Sequence, residues 1–157
     1  MKRFALLLGA LVAPLILVSC GGGGSDLGDS PEADAVRYRQ GVMHAIEWKV
    51  IELRAMADGD TALDEAQFKE SAGELAALAT MITEGFGPGT DIAGSNAKPE
   101  VWSDWDKFVA EATKFAELTR NFANTAQQSG FEAAKGMAAQ VGGACRNCHS
   151  PYRQSGQ

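Results

Sequence analysis

Cysteine and histidine are scarce in this chain. Its 157 residues hold three cysteines, Cys20, Cys145 and Cys148, and two histidines, His44 and His149. A zinc site takes four ligands of these kinds. Beyond the run Cys145–His149 the chain offers only His44 and Cys20, so a zinc reading is poorly supplied. Basic side chains are also few, 14 against 20 acidic ones, for a formal net charge of −6. That excludes a nucleic-acid surface, which wants an excess of Lys and Arg. No apolar run reaches the roughly 20 residues of a membrane-spanning helix. The longest, Phe4 to Val18, falls short and is interrupted by Pro14. Strand-like alternation is missing too, which removes the βαβ setting expected of a redox-active thiol pair. What remains is one ordinary globular domain, 45% apolar by residue count.

Glycine is plentiful, 18 residues, but four of them form the run Gly21–Gly24. Ahead of that run the order is a basic "MKR", an apolar stretch and then "SC", the layout of a secretory leader. Leu17-Val18-Ser19-Cys20 resembles the lipobox of bacterial lipoproteins, in which the cysteine receives lipid and becomes the new N-terminus. The alternative is an ordinary cleaved leader with a chance cysteine. The boundaries expected are a leader over 1–19, a flexible tether over 20–30 ("GGGGSDLGDS" has no packing value) and a folded domain over 31–157. Loss of Lys2 and Arg3 with the leader leaves 12 basic and 20 acidic side chains, net −8. Gly21 after Cys20, where lipoproteins kept at the inner membrane carry aspartate, points weakly to the outer membrane.

The folded part reads as helices. The first is expected from about Pro31 to Ala57, with Ser30 as N-cap and Pro31 in the first turn; "DGD" at Asp58–Asp60 ends it. Its inward stripe steps by three and four through Val36, Arg39, Met43, Ile46, Val50, Leu53 and Ala57. Arg39 is the odd member, a charge where a leucine would be expected. A second helix runs from about Leu63 to Thr83, and a Gly- and Pro-rich break, "EGFGPGTDIAGSNAK", follows. The third starts near Pro99 with the stripe Val101, Trp105, Phe108, Ala112, Phe115, Thr119, Phe122, Ala126. The fourth runs from about Phe131 to Arg153, through Ala134, Ala138, Val141, Cys145, Cys148 and Tyr152. The fold class is all-α, an antiparallel four-helix bundle, and a cofactor at the cysteines would lie between helices.

Near the C-terminus the chain reads "GACRNCHSPYRQ", Gly143 to Gln154. Cys145-Arg146-Asn147-Cys148-His149 fits the attachment pattern of a c-type haem. Each thiol adds to one vinyl group and His149 becomes the proximal iron ligand. A disulfide between Cys145 and Cys148 would be strained on a helix. With Cys20 lipidated and the other two joined to haem, no cysteine is left over. On the far side of the iron the candidates are Met43 and His44. Neighbouring helix positions point about 100° apart, so only one faces inward. Met43 lies on the stripe and His44 off it. Met43 is either an axial ligand, which would raise the reduction potential, or core filler. Arg39, one turn away, either pairs with a haem propionate or stretches to solvent.

Three segments, "YRQGVM" (38–43), "AKPEVWSDWDKF" (97–108) and "CRNCHSPYR" (145–153), resemble the class II c-type cytochromes, the cytochrome c-prime family. The resemblance covers roughly Asp34 to Arg153 and implies one haem c bound through Cys145 and Cys148. It implies His149 as proximal ligand, Arg39 near a propionate and Arg153 near the proximal imidazole. The position four after the arginine of "YR" faces the iron. It is commonly an apolar non-ligand in five-coordinate, gas-binding members and a ligating methionine in low-spin, c-556-like ones; here it is Met43. The expectation is therefore a periplasmic, lipid-anchored electron carrier with His149 and Met43 as the axial pair, and no enzyme. Its partners would be redox proteins, drawn to an acidic surface, unless that charge serves solubility alone. The alternatives are a gas binder for nitric oxide or carbon monoxide, and a structural or scavenging lipoprotein with no redox duty. Dimerisation through the first two helices would fit the family. Asn96 departs from it, standing where an arginine often precedes "AKPE".

Overall fold

The computed structural model describes residues 27–154. The leader, Cys20 and most of the tether lie outside the described residues. The described residues form five helices: α1 (Pro31–Asp58), α2 (Glu65–Ala79), the single turn α3 (Glu100–Ser103), α4 (Trp105–Ser129) and α5 (Phe131–Tyr152). The four long ones form an antiparallel bundle in which α1 packs on α2 and α5, and α4 packs on the same two. Among the described residues no helix is long and apolar enough to cross a membrane.

Local chemistry sets the ends of α1. The Ser30 side chain accepts a hydrogen bond from the Ala33 amide at 3.2 Å and Pro31 occupies the first turn, satisfying one of the helix's orphan donors. Gly59, at φ 82°, closes α1 in the left-handed conformation that glycine adopts without strain. The second helix is shorter than the expected Leu63–Thr83. Asp64 caps it, its carboxylate accepting from the amides of Ala66 and Gln67 at 3.0 and 3.1 Å, so Leu63 is left outside and exposed. At the other end Met81 and Glu84 donate their amides to Leu78 and Met81, both at 3.0 Å, and the chain tightens into turns after Ala79. Ile82 nonetheless stays buried, so the apolar stripe outlasts the helix.

The core fills the space between the helices. Phe68 on α2 is fully buried between Phe122 of α4 and Phe131 of α5, with ring centroids 5.6 and 5.0 Å away, both edge-on. Burial of such rings provides most of the driving force for closure. Val42 and Met56 join the inward face of α1, beyond the residues of the simple stripe. Trp105 does not join it. The backbone breaks at Asp104 (φ −116°, ψ 40°), separating α3 from α4, and Trp105 is left 38% exposed beside Phe108. Trp102 takes the inward role, donating its indole N–H to the Phe86 carbonyl at 3.1 Å.

One polar seam crosses between α1 and α2. Ser71, fully buried, donates to Glu52 at 2.7 Å and accepts from Gln67 and Lys49 at 3.1 and 3.3 Å. Lys49 also pairs with Glu74 at 2.6 Å. Every member finds a partner, as a buried polar group requires.

Candidate functional site

The last turns of α5 carry Cys145, Cys148 and His149. Spacings of three and four place them on one helix face. That face forms a wall of a cavity of about 430 Å³, bounded also by α1, α4 and the segment after α2. Both thiols and the imidazole are half-buried. The facing α1 wall holds Met43, half-buried, and Arg39. Ile82, Phe86, Phe108 and Phe115 supply apolar walls. His44 stands at the rim and is exposed, off the inward stripe. All six residues singled out in the folded part of the chain (Arg39, Met43, Cys145, Cys148, His149 and Arg153) thus line one cavity. Among the described residues no three His, Cys, Asp or Glu side chains converge into a metal cluster.

The donor set fits a haem. Cys145 and Cys148 are not bonded to each other. Burial pushes the Cys145 thiol up, and pushes Cys148 up to about 11, with the Glu111 carboxylate adding to the effect at Cys148. Burial also lowers the His149 pKa, and the nearby positive charge of Arg153 lowers it further. A neutral imidazole keeps a lone pair free for a metal. The walls are apolar, as a flat hydrophobic macrocycle needs.

Arg39 does not stretch to solvent. It is only 4% exposed, and four of its five N–H groups point to the segment that follows α2. One terminal nitrogen donates to the Gly85 carbonyl (2.7 Å) and the Thr90 hydroxyl (3.0 Å); the other donates to the Thr90 carbonyl (2.8 Å) and the Ser95 hydroxyl (2.5 Å). The guanidinium also lies over the Phe86 and Trp102 rings, 4.6 and 5.5 Å from their centroids. Desolvation lowers its pKa, opposed by the charge of Asp91. Arg39 both borders the cavity and holds a loop. Gly85, Thr90 and Ser95 were not singled out from sequence. They lie 46 to 56 residues from Arg39, and nothing local marks them as its partners.

Arg153 sits just past α5 and is exposed. Its amide donates to the His149 carbonyl at 2.9 Å, and it forms an isolated β-bridge with Ala97. Asn96 contributes its backbone here, its carbonyl accepting from the Gln154 amide at 2.9 Å. Farther along, Arg54 of α1 lies beside Gly142 of α5, and both line the cavity.

Comparison with known proteins decides what kind of cavity this is. A family model described as Cytochrome C' matches residues 34–153. The chain belongs to the cytochrome c' family. It is 34% identical over 122 residues to the cytochrome c' of Rubrivivax gelatinosus, covering 77% of this chain and 95% of that one. It is 30% identical over 123 residues to cytochrome c-556 of Agrobacterium tumefaciens, covering 77% and 98%. A nitrosyl complex of a variant cytochrome c' from Alcaligenes xylosoxidans superposes with a TM-score of 0.74 at 26% identity, covering 82% of this chain and all of that one. As a member of this family, the protein is a four-helix-bundle monohaem cytochrome with one covalently bound haem c.

Proposed function

We propose that this cytochrome is a one-electron carrier whose haem is joined to Cys145 and Cys148 and held between His149 and Met43. The observation that carries the reading is the placement of Met43 on the α1 wall of the same cavity that has His149 on its α5 wall. Bound there, the haem supplies a reversible one-electron couple. The chain's own residues do the rest. His149 stays neutral through burial and the charge of Arg153. Phe86, Phe108 and Phe115 give the cavity an apolar lining. Met43 offers a thioether, the axial partner that raises the potential of a His-ligated haem. If Met43 and His149 both held the iron, they would exclude small ligands and little would rearrange on electron transfer.

A second reading is supported by the relatives, several of which carry the name cytochrome c', and by the nitrosyl complex of the Alcaligenes variant. In it Met43 is an apolar lid, not a ligand, and the protein binds nitric oxide or carbon monoxide. The visible spectrum of the oxidised protein separates the two. A low-spin spectrum with a methionine–iron charge-transfer band, lost in Met43→Leu, is expected for the carrier. A high-spin spectrum in the unaltered protein, shifting when carbon monoxide is added to the reduced form, would replace it with the gas binder.

The leader pattern and the Leu17–Cys20 segment support a periplasmic protein held to a membrane by lipid on Cys20. Acyl chains on one cysteine must be multiple, since a single chain binds membranes only marginally. The mature excess of acidic side chains suits a redox partner with a basic docking face. On α1 Trp48 and Ile51 are 70% and 61% exposed, an apolar patch that suits dimerisation, with Ile51 also at the edge of the cavity.

A further inference from the structure

The two walls of the haem cavity are tied together by one short stretch of loop. Arg39, one turn from Met43 on α1, donates to the Ser95 hydroxyl at 2.5 Å, and the same oxygen accepts from the Ala97 amide at 3.2 Å. Gln40 adds a longer bond to the Gly94 carbonyl, 3.4 Å. From Ala97 the chain passes directly to the end of α5. The Lys98 amide donates to the Tyr152 carbonyl and the Gln154 amide to the Asn96 carbonyl, both at 2.9 Å. Ala97 and Arg153 form the β-bridge, and the Lys98 ammonium donates to the Ser150 carbonyl at 2.9 Å. Tyr152 and Ser150 lie within three residues of His149.

We propose that Ser95 is a positioning residue that fixes the last turn of α5, and with it His149, relative to the α1 wall. The proposal rests on the reading of His149 as the proximal ligand. Its physical basis is that one hydroxyl oxygen joins a buried guanidinium to the backbone of the bridging strand. A buried guanidinium N–H that loses its acceptor seeks another. With the Ser95 hydroxyl gone, the Arg39 fork and the Ala97 amide both lose their common partner. The stretch 95–98 is then free to shift, and the three bonds that close α5 shift with it. Lys98 acts at the same place from the other side: its charge meets the last carbonyls of α5, the negative end of the helix. Orientation of a ligating imidazole by groups that do not touch the metal is a general way of tuning a metal site.

The test uses the haem-loaded protein carrying Met43→Leu, so that the reduced iron has His149 as its sole protein ligand whichever reading of Met43 holds. The quantity read is the histidine–iron stretching band in the resonance Raman spectrum. Ser95→Ala is expected to shift or broaden that band, and Ser95→Thr, which keeps the hydroxyl, to return it to the parent position. Lys98→Met is expected to move it as well, and serves alone if Ser95→Ala does not accumulate. Unfolding midpoints are measured alongside. A lowered midpoint with the band unmoved means that these residues only stabilise the loop, and overturns the proposal. Absence of the band from the parent overturns the assignment of His149 and the proposal together.

Discussion

A Cβ placed on Gly85 would stand 2.8 Å from the carbonyl oxygen of Ala35 and 3.5 Å from the Cβ of Arg39. The loop meets α1 here closely enough that only glycine fits, and at φ +75° only glycine is unstrained. The Gly85 carbonyl is also one of the four acceptors of the Arg39 fork. Gly85→Ala should therefore destabilise the protein by more than the left-handed cost alone, about 1–2 kcal/mol. Gly87→Ala is the control, since its Cβ would meet nothing. Denaturant midpoints of the two variants, measured on the haem-loaded protein, check this; equal midpoints would remove Gly85 from the clamp.

Phe68 is the centre of the aromatic cluster of Phe68, Phe122 and Phe131 and is fully buried. Truncating it to alanine should cost about 3–5 kcal/mol, as for other buried aromatics. Phe68 does not line the haem cavity. The visible spectrum of Phe68→Ala should match the parent below its unfolding transition, and a changed spectrum would mean that the two regions are coupled.

Alkali should destabilise the haem-free chain through its thiols. Cys148 rises from the ordinary 9.0 to about 11 by burial and then by Glu111, and Cys145 is raised by burial. Between pH 9.0 and about 11 the unfolded chain has lost protons that the folded chain keeps, so folding stability falls as pH rises through that window. His149 acts at the acid end. Its folded pKa is lowered below 6.5, so the unfolded chain binds the extra proton and stability falls as pH drops below that value. Urea midpoints against pH, for the haem-free chain and for its Cys145→Ala/Cys148→Ala variant, read the alkaline part directly. The variant should lose that part of the slope, and so should the haem-loaded protein, whose thioether sulfurs do not ionise.

Trp48 and Ile51 offer a fourth test. Both are exposed on α1, with Ile51 at the edge of the haem cavity. If two copies meet there, Trp48→Glu should lower the sedimentation mass from dimer to monomer and leave the haem spectrum alone. A monomeric parent would remove the pairing.

Much of the fold was legible because it is written locally. Ser30 and Pro31 announce the start of α1, "DGD" its end, and residues three and four apart show which faces turn inward. The family resemblance, the bundle and the covalent haem follow from signals of that kind. The differences have physical causes. Val42 and Met56 fall outside a single stripe because the buried face of α1 is wider than one residue per turn. The apolar stripe overstates the length of α2 because Ile82 continues it after the backbone has tightened into turns. It puts Trp105 inside because the step of three and four runs unbroken through Asp104, where the backbone does not. The charge of Arg39 stands out in the sequence, but its partners do not. A hydrogen bond between residues 46 or more positions apart leaves no periodic trace.

The placement of Cys145 and Cys148 also bears on their reactivity. Addition to a vinyl group calls for an accessible, reactive sulfur, and thiolate is the reactive form. In the folded chain both sulfurs are half-covered, and burial holds both protons more firmly. Docking of α5 in the haem-free chain leaves both sulfurs on the cavity wall, half-covered and less ready to ionise. The helix that sets the two thiols against the cavity thus also makes them poorer nucleophiles until their bonds are formed.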